Sequence, residues 1–392
     1  MFQKKVFSTL TSFCGVSALA LGQLACGGNP NLLSGKGSNS VTAITSLINE
    51  KTQHTLNYEN LGSTLGAREM AKAQISYDFA MTSSRKTPGS IGKVEGINYS
   101  DPTTGFAQEV TNWLNNQIRT LTFAWDAIGI GLNLPDPILN SLRLNDQDRS
   151  NDIIPRIKFD ALVAIYCLSQ DDQRYPTWQE FLTNPEVTGL DSSLFKPEES
   201  KPRALAIEGG KDTSGKAEAF TDKIVASESF AALGVDKKLV QTHSDSIIAP
   251  ELKVEDKENT MYGKNANTAS SVMYYSLGYI IKNDRQSKVV LAEIDGWGAP
   301  TVANAQNGSY DWIRPFNILY PVSKTKVIEM VKTLLSPEFQ SEIARLGFVA
   351  LSSEQISLQS GQPSSLTLPD LAAEGLPSAN QIDGLDFGLK VK

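Results

Sequence analysis

Cysteine and histidine are scarce in this chain. Its 392 residues include three cysteines, Cys14, Cys26 and Cys167, and two histidines, His54 and His243. Zinc is held by clusters of Cys and His at close spacing. None is present, so no metal is expected. If Cys14 leaves with an N-terminal leader and Cys26 is modified, Cys167 stands alone and the body has no disulfide of its own. Excess positive charge is missing too. Lys and Arg number 36 against 43 Asp and Glu, a net charge of −7. Phosphate backbones are bound by basic surfaces, so nucleic acid is excluded as a partner. No nucleophile–base pair and no internal repeat stands out, so neither catalysis nor a cofactor is expected. What remains is ordinary for a globular protein, with 40% hydrophobic and 20% charged residues. The length suffices for two or three cores.

Residues 1–26 differ from the rest. Lys4 and Lys5 open a basic start, and Val6 to Ala25 carries no charge. The stretch reads as a secretory signal. Its end, Leu24-Ala25-Cys26, resembles the cleavage box of bacterial lipoproteins, where the Cys becomes the lipidated N-terminus. Gln23 stands where that box usually has an aliphatic residue. An uncleaved anchor and a plain signal peptide are the alternatives. The expected location is the outer face of the cell membrane, held by lipid such as palmitate on Cys26. Buried acyl chains contribute about 0.8 kcal/mol per CH2, so firm anchoring takes more than one.

Three short Ser/Gly stretches each precede a helical pattern: Gly37-Ser38-Asn39-Ser40, Gly62-Ser63-Thr64 and Thr213-Ser214-Gly215. A helix N-terminus leaves N–H groups unpaired and carries partial positive charge, so it suits an anion. One such stretch is only a cap, the usual role of Ser at a helix start. Three in two halves of one chain point to a shared oxyanion site.

Residues 27–37 read as a tether. Val41, Ile44, Leu47 and Ile48 keep helical spacing, and strand, loop and helix alternate from Thr55 to Met81, the mark of an α/β lobe. Residues 86–156 read as an elaboration, with helix-like spacing over Phe106–Trp125. Ile157–Tyr166 reads as a long apolar strand crossing between lobes. Arg203–Ile207 and Ser271–Ile281 read as strands, and Tyr310–Val322 as extended. Lys324–Leu335 is an amphipathic helix, Ser336-Pro337 starts another, and Gly347 ends it. The tail 352–392 reads as irregular.

Several blocks resemble the phosphate-binding proteins of bacterial ABC phosphate uptake systems. They are Leu61-Gly62-Ser63 with Tyr77-Asp78-Phe79-Ala80, Tyr274–Tyr279, Ala299-Pro300-Thr301, Asn307-Gly308-Ser309-Tyr310, Arg314-Pro315-Phe316, Leu335–Gln340 and Leu346–Leu351. The resemblance implies an α/β, two-lobed periplasmic-binding-protein-like (type II) fold with a ligand cleft between the lobes. It implies lobe 1 over 38–165, lobe 2 over 166–285 and a return to lobe 1 over 286–392. It also implies an extracytoplasmic monomer that captures inorganic phosphate, or a related oxyanion, for an ABC transporter permease. Ser38, Asn39, Ser40, Val41, Ser63, Ser83, Lys211, Ser214, Gly215 and Lys216 are the ligand-binding candidates.

Three positions depart from the pattern. In the family an Asp follows the strand that corresponds to Asp78–Met81, and Ser83 or Ser84 stands at that place here. That Asp accepts a proton from bound phosphate, so its loss weakens discrimination against sulfate. The family's Arg corresponds to Gly210, with Lys211 adjacent, and its Thr corresponds to Lys216. A second reading is therefore a surface lipoprotein that kept the fold, lost the site and acts in adhesion or protein interaction. A third is a secreted hydrolase with Asp160 and Glu208 as an acid pair. Gly210–Lys216 also fits most of a phosphate-loop motif, but Ala217 stands where that motif needs Ser or Thr.

Overall fold

The computed structural model describes residues 31–84, 86–145, 149–206, 215–236, 240, 245–246 and 257–361. Ten strands join in one sheet: β1 (Leu32–Gly37), β2 (Thr55–Asn60), β3 (Phe79–Thr82), β4 (Ile118–Asn133), β5 (Arg156–Ile157), β6 (Arg203–Ala206), β7 (Asp245–Ser246), β8 (Ser271–Ser276), β9 (Val289–Ile294) and β10 (Ile313–Pro321). Their order is β2-β1-β3-β10-β4-β8-β6-β7, with β9 also on β4 and β5 on β9. The fold is α/β and two-lobed.

β4 ties the halves together. Its first part pairs with β10, and its last six residues pair with β8. Only Arg119 of its residues escapes full burial. A strand covered on both faces loses its alternation of apolar and polar residues. That explains why Phe106–Trp125 imitates helical spacing: the helix Pro102–Asn115 covers its first half and β4 its second. The same ambiguity acts in reverse at Ile157–Tyr166. There only Arg156–Ile157 is strand, and Phe159–Cys167 is a helix buried from Ala161 onward. A short buried helix is apolar all round, and periodicity cannot separate it from a buried strand.

Other differences are local. Leu32–Gly37, expected within the tether, is β1, parallel to both β2 and β3. Ser271–Ile281 is strand only to Ser276, after which Leu277–Asn283 is helical. Ser353–Gly361, expected to be irregular, is a helix. The helices Thr325–Leu334 and Pro337–Arg345 form as the spacing predicts, with the Ser336 hydroxyl accepting the Phe339 N–H at 3.2 Å. No helix among the described residues is long and apolar enough to cross a membrane.

Strand direction positions a cleft. β1 and β3 approach the middle of β4 from one side, since Thr82 pairs with Asn317, which pairs with Thr122. β6 and β8 approach from the other side, since Ser276 pairs with Ile128. The C-terminal ends of the two parallel sets thus face each other across residues 123–127 of β4. Ligands of open α/β sheets bind outside such strand ends.

Gly37 closes the end of β1 against β3. Its φ is +142°, and a Cβ there would lie 2.0 Å from the Met81 carbonyl oxygen. Gly37→Ala is expected to cost more than about 1 kcal/mol through strain that no side chain can relieve. Urea denaturation of the variant checks this.

Candidate functional site

The loops after β1, β2 and β3 leave the sheet at one edge. Ser38 follows β1, Ser63 opens the helix Ser63–Met70 after β2, and Ser83 follows β3. All three are buried, at 2%, 3% and 0% exposure. Ser38 Oγ donates to Ser83 Oγ at 2.8 Å. Ser63 Oγ lies 3.2 Å from Ser83 Oγ and accepts the Ser83 N–H at 2.9 Å. The sequence thus brings three candidate hydroxyls, 45 and 20 residues apart, into one cluster.

Backbone bonds hold these loops. The Ser38 N–H donates to Met81 O and the Gly62 N–H to Gly37 O, both at 2.7 Å. Tyr58 OH donates to Ser38 O at 3.1 Å. Ser38 is also a cap: its Oγ accepts the Ser40 N–H at 3.1 Å, at the head of the turn Asn39–Val41. Ser63 is not one. Gly62, at φ +101°, takes the N-cap position, and the Ser63 hydroxyl turns to Ser83 instead. Neighbouring Ser84 Oγ is buried with no hydrogen-bond partner among the described residues. Hydroxyls can reverse between donor and acceptor, so the cluster can exchange internal bonds for bonds to an anion.

The facing lobe presents the helix Gly215–Val225, with Gly215 as its first residue. Phe220 fixes this helix by stacking on Tyr274 and Trp312, with centroids 4.1 and 5.0 Å away. Trp312 Nε1 donates to Ala219 O at 3.4 Å, and Lys223 pairs with Asp311. Trp312, Tyr274 and Tyr275 are core residues, as their types suggest. Lys216 is buried, with its ammonium 3.6 Å from Met261 Sδ. Lys211 and Ser214 lie outside the described residues, as do Cys26 and Glu208. Asp160 binds its own helix start, accepting the Ala161 N–H at 2.8 Å.

Two ion pairs were not anticipated as units. Arg314 of β10 donates to Asp126 Oδ2 of β4 from Nε at 3.0 Å and Nη2 at 2.6 Å. Ser276, the last residue of β8, donates to the same oxygen at 2.8 Å. Arg314 lies in one of the blocks that carry the resemblance, and Asp126 falls in the stretch 86–156, read as an elaboration. The second pair, Lys86 with Glu218, spans from the loop after β3 to the helix Gly215–Val225. Its only sequence signal was a Lys three positions after Ser83.

Burial pushes the Cys167 thiol up to about 12. A thiol attacks as its thiolate. Cys167 is therefore expected to resist thiol reagents at neutral pH until the chain unfolds, which a reagent titration through the denaturation midpoint measures. Among the described residues no group of three or more His, Cys, Asp or Glu is placed to hold a metal.

No family model matches the chain, and no curated protein matches it significantly. Solved structures do. A Clostridium perfringens structure with bound phosphate, described as a phosphate ABC transporter substrate-binding protein, has TM-score 0.52 at 16% identity, covering 82% of this chain and 100% of its own. The high-affinity periplasmic phosphate-binding protein PfluDING, bound with phosphate, has TM-score 0.54 at 11% identity, covering 87% and 97%. A phosphate-binding protein from Stenotrophomonas maltophilia has TM-score 0.51 at 9% identity, covering 85% and 94%. The chain has the two-lobed fold of these phosphate-binding substrate receptors.

Proposed function

We propose that this protein is an extracytoplasmic solute-binding protein that captures phosphate, or a related oxyanion, between its lobes for an ABC importer. The observation that carries the reading is the convergence of Ser38, Ser63 and Ser83 at the strand ends facing the cleft. A buried anion must regain the hydrogen bonds it loses with water. Hydroxyls from one lobe and a helix start from the other meet that need when a hinge closes. In this reading the protein binds without catalysis and acts as a monomer. Asn39, Ser40 and Val41 offer their turn to the anion. Lys211, Ser214, Gly215 and Lys216 complete the site from the second lobe. Cys26 carries the lipid that holds the chain at the outer face of the membrane. In this reading lobe 1 spans 38–165, lobe 2 spans 166–285 and the chain returns to lobe 1 over 286–392, with β4 and β10 joining the two halves of the sheet.

The second reading is a surface lipoprotein with no anion site. What favours it is that Ser38, Ser63 and Ser83 already satisfy one another and carry no charge. Thermal unfolding in rising phosphate separates the two. A ligand at a hundredfold its Kd adds about 2.7 kcal/mol to stability. The melting temperature of the full chain is expected to rise with phosphate. The rise should shrink in Ser214→Ala and persist in Ser357→Ala, a change in the C-terminal helix. No shift at millimolar phosphate would favour the second reading.

A further inference from the structure

Lys86, in the loop after β3, and Glu218, in the helix Gly215–Val225, form an ion pair. Lys86 Nζ donates to both carboxylate oxygens of Glu218, at 2.8 and 2.7 Å. Lys86 is 4% exposed and the Glu218 side chain 20%. By the proposed bounds the two residues come from opposite lobes. Lys86 sits three positions beyond Ser83, and Glu218 sits in the first turn of the helix Gly215–Val225. A movement of the helix Gly215–Val225 away from the loop after β3 would break the pair.

We propose that Glu218 and Lys86 together set which oxyanion the cleft accepts. The inference rests on the oxyanion reading above and deepens it. The hydroxyls of Ser38, Ser63 and Ser83 are neutral, so they can orient an anion but do not select its charge. Lys86 is a buried cation close in sequence to that cluster. Its charge is cancelled by a carboxylate in the first turn of a helix, near the helix's positive end. Charges in a buried cleft are poorly screened by salt. Removing one member of such a pair leaves the other uncompensated, whereas replacing both restores neutrality. The paired state therefore disfavours a second full negative charge. Glu218 raises the cost of a dianion, and Lys86 keeps that cost finite.

The two single substitutions then act in opposite directions. Glu218→Gln keeps the shape and frees the Lys86 charge. Sulfate affinity is expected to rise at least about tenfold, and more than phosphate affinity at mildly acid pH, a factor equal to about 1.4 kcal/mol. Lys86→Met leaves the Glu218 charge bare and should weaken both anions at least about tenfold. The double variant should return close to wild type, and Lys86→Arg, which keeps the charge, should preserve the wild-type ratio. The experiment is calorimetric titration of inorganic phosphate and sulfate into the full chain and these four variants, with circular dichroism to verify folding. Opposite shifts with recovery in the double variant support the pair as the selectivity device. Wild type that binds with both single variants moving affinity the same way, or not at all, overturns this inference alone. Wild type that binds neither anion overturns the oxyanion reading and this inference with it. If Lys86→Met fails to fold, Glu218→Gln and Lys86→Arg decide: an unchanged sulfate-to-phosphate ratio in Glu218→Gln overturns the inference.

Discussion

Asp126→Ala is expected to destabilise the protein by about 3–5 kcal/mol, the range for breaking a buried ion pair from one side. Asp126 is 0% exposed and Arg314 1%. Their bond joins β4 to β10, and Ser276 adds the end of β8 to the same carboxylate oxygen. Without Asp126 a guanidinium stays buried, and it cannot escape by losing a proton. Arg314 Nη1 has no hydrogen-bond partner among the described residues even with Asp126 present. The substitution would leave the group nearly unsolvated. Asp126→Leu with Arg314→Met should recover most of the loss, because an apolar pair of similar volume is often neutral or stabilising at such a place. Urea denaturation of the single and double variants measures both. A single-variant loss under about 1 kcal/mol, typical of exposed pairs, would show that these strands do not depend on the pair.

Ser83→Asp is the substitution with the largest expected effect on binding. Ser83 is fully buried and contacts both Ser38 Oγ and Ser63 Oγ. An Asp carboxylate there would accept hydrogen bonds from those two hydroxyls and bring a full negative charge to the cluster. A phosphate that still carries a proton can donate to that carboxylate, whereas sulfate cannot and meets a like charge. Sulfate affinity is expected to fall at least about a hundredfold relative to phosphate, about 2.7 kcal/mol of discrimination. Ser83→Ala should weaken both anions similarly, since it removes a hydroxyl shared by the cluster without adding charge. Equal losses for the two anions in Ser83→Asp would mean that position 83 does not face the ligand.

Much of this was legible because local rules operated undisturbed. The helices Thr42–Lys51, Ser63–Met70, Thr325–Leu334 and Pro337–Arg345 each have one solvent-facing side, so their apolar residues recur at helical spacing. β2 lies between two clear helix patterns, and the Ser-containing starts at Ser38 and Ser63 mark the ends of β1 and β2. The failures share one cause. β4 and the helix Phe159–Cys167 are buried on all sides, which erases the period that tells strand from helix. β1 was missed because Gly35 and Gly37 look like tether residues. The structure gives them another reason: a Cβ at Gly35 would lie 2.2 Å from the Phe79 ring, and Gly37 abuts Met81 O. The pairs Asp126–Arg314 and Lys86–Glu218 join residues 188 and 132 positions apart, a separation that no local pattern encodes.

The central claim is that Ser38, Ser63 and Ser83 form an oxyanion site, and one titration tests it most directly. Phosphate is titrated by calorimetry into the full chain and into a variant with all three serines replaced by Ala. The account predicts saturable binding of one phosphate per chain in the wild type and at least about a hundredfold loss in the variant. Equal binding in the two proteins, or no binding in the wild type, would contradict it.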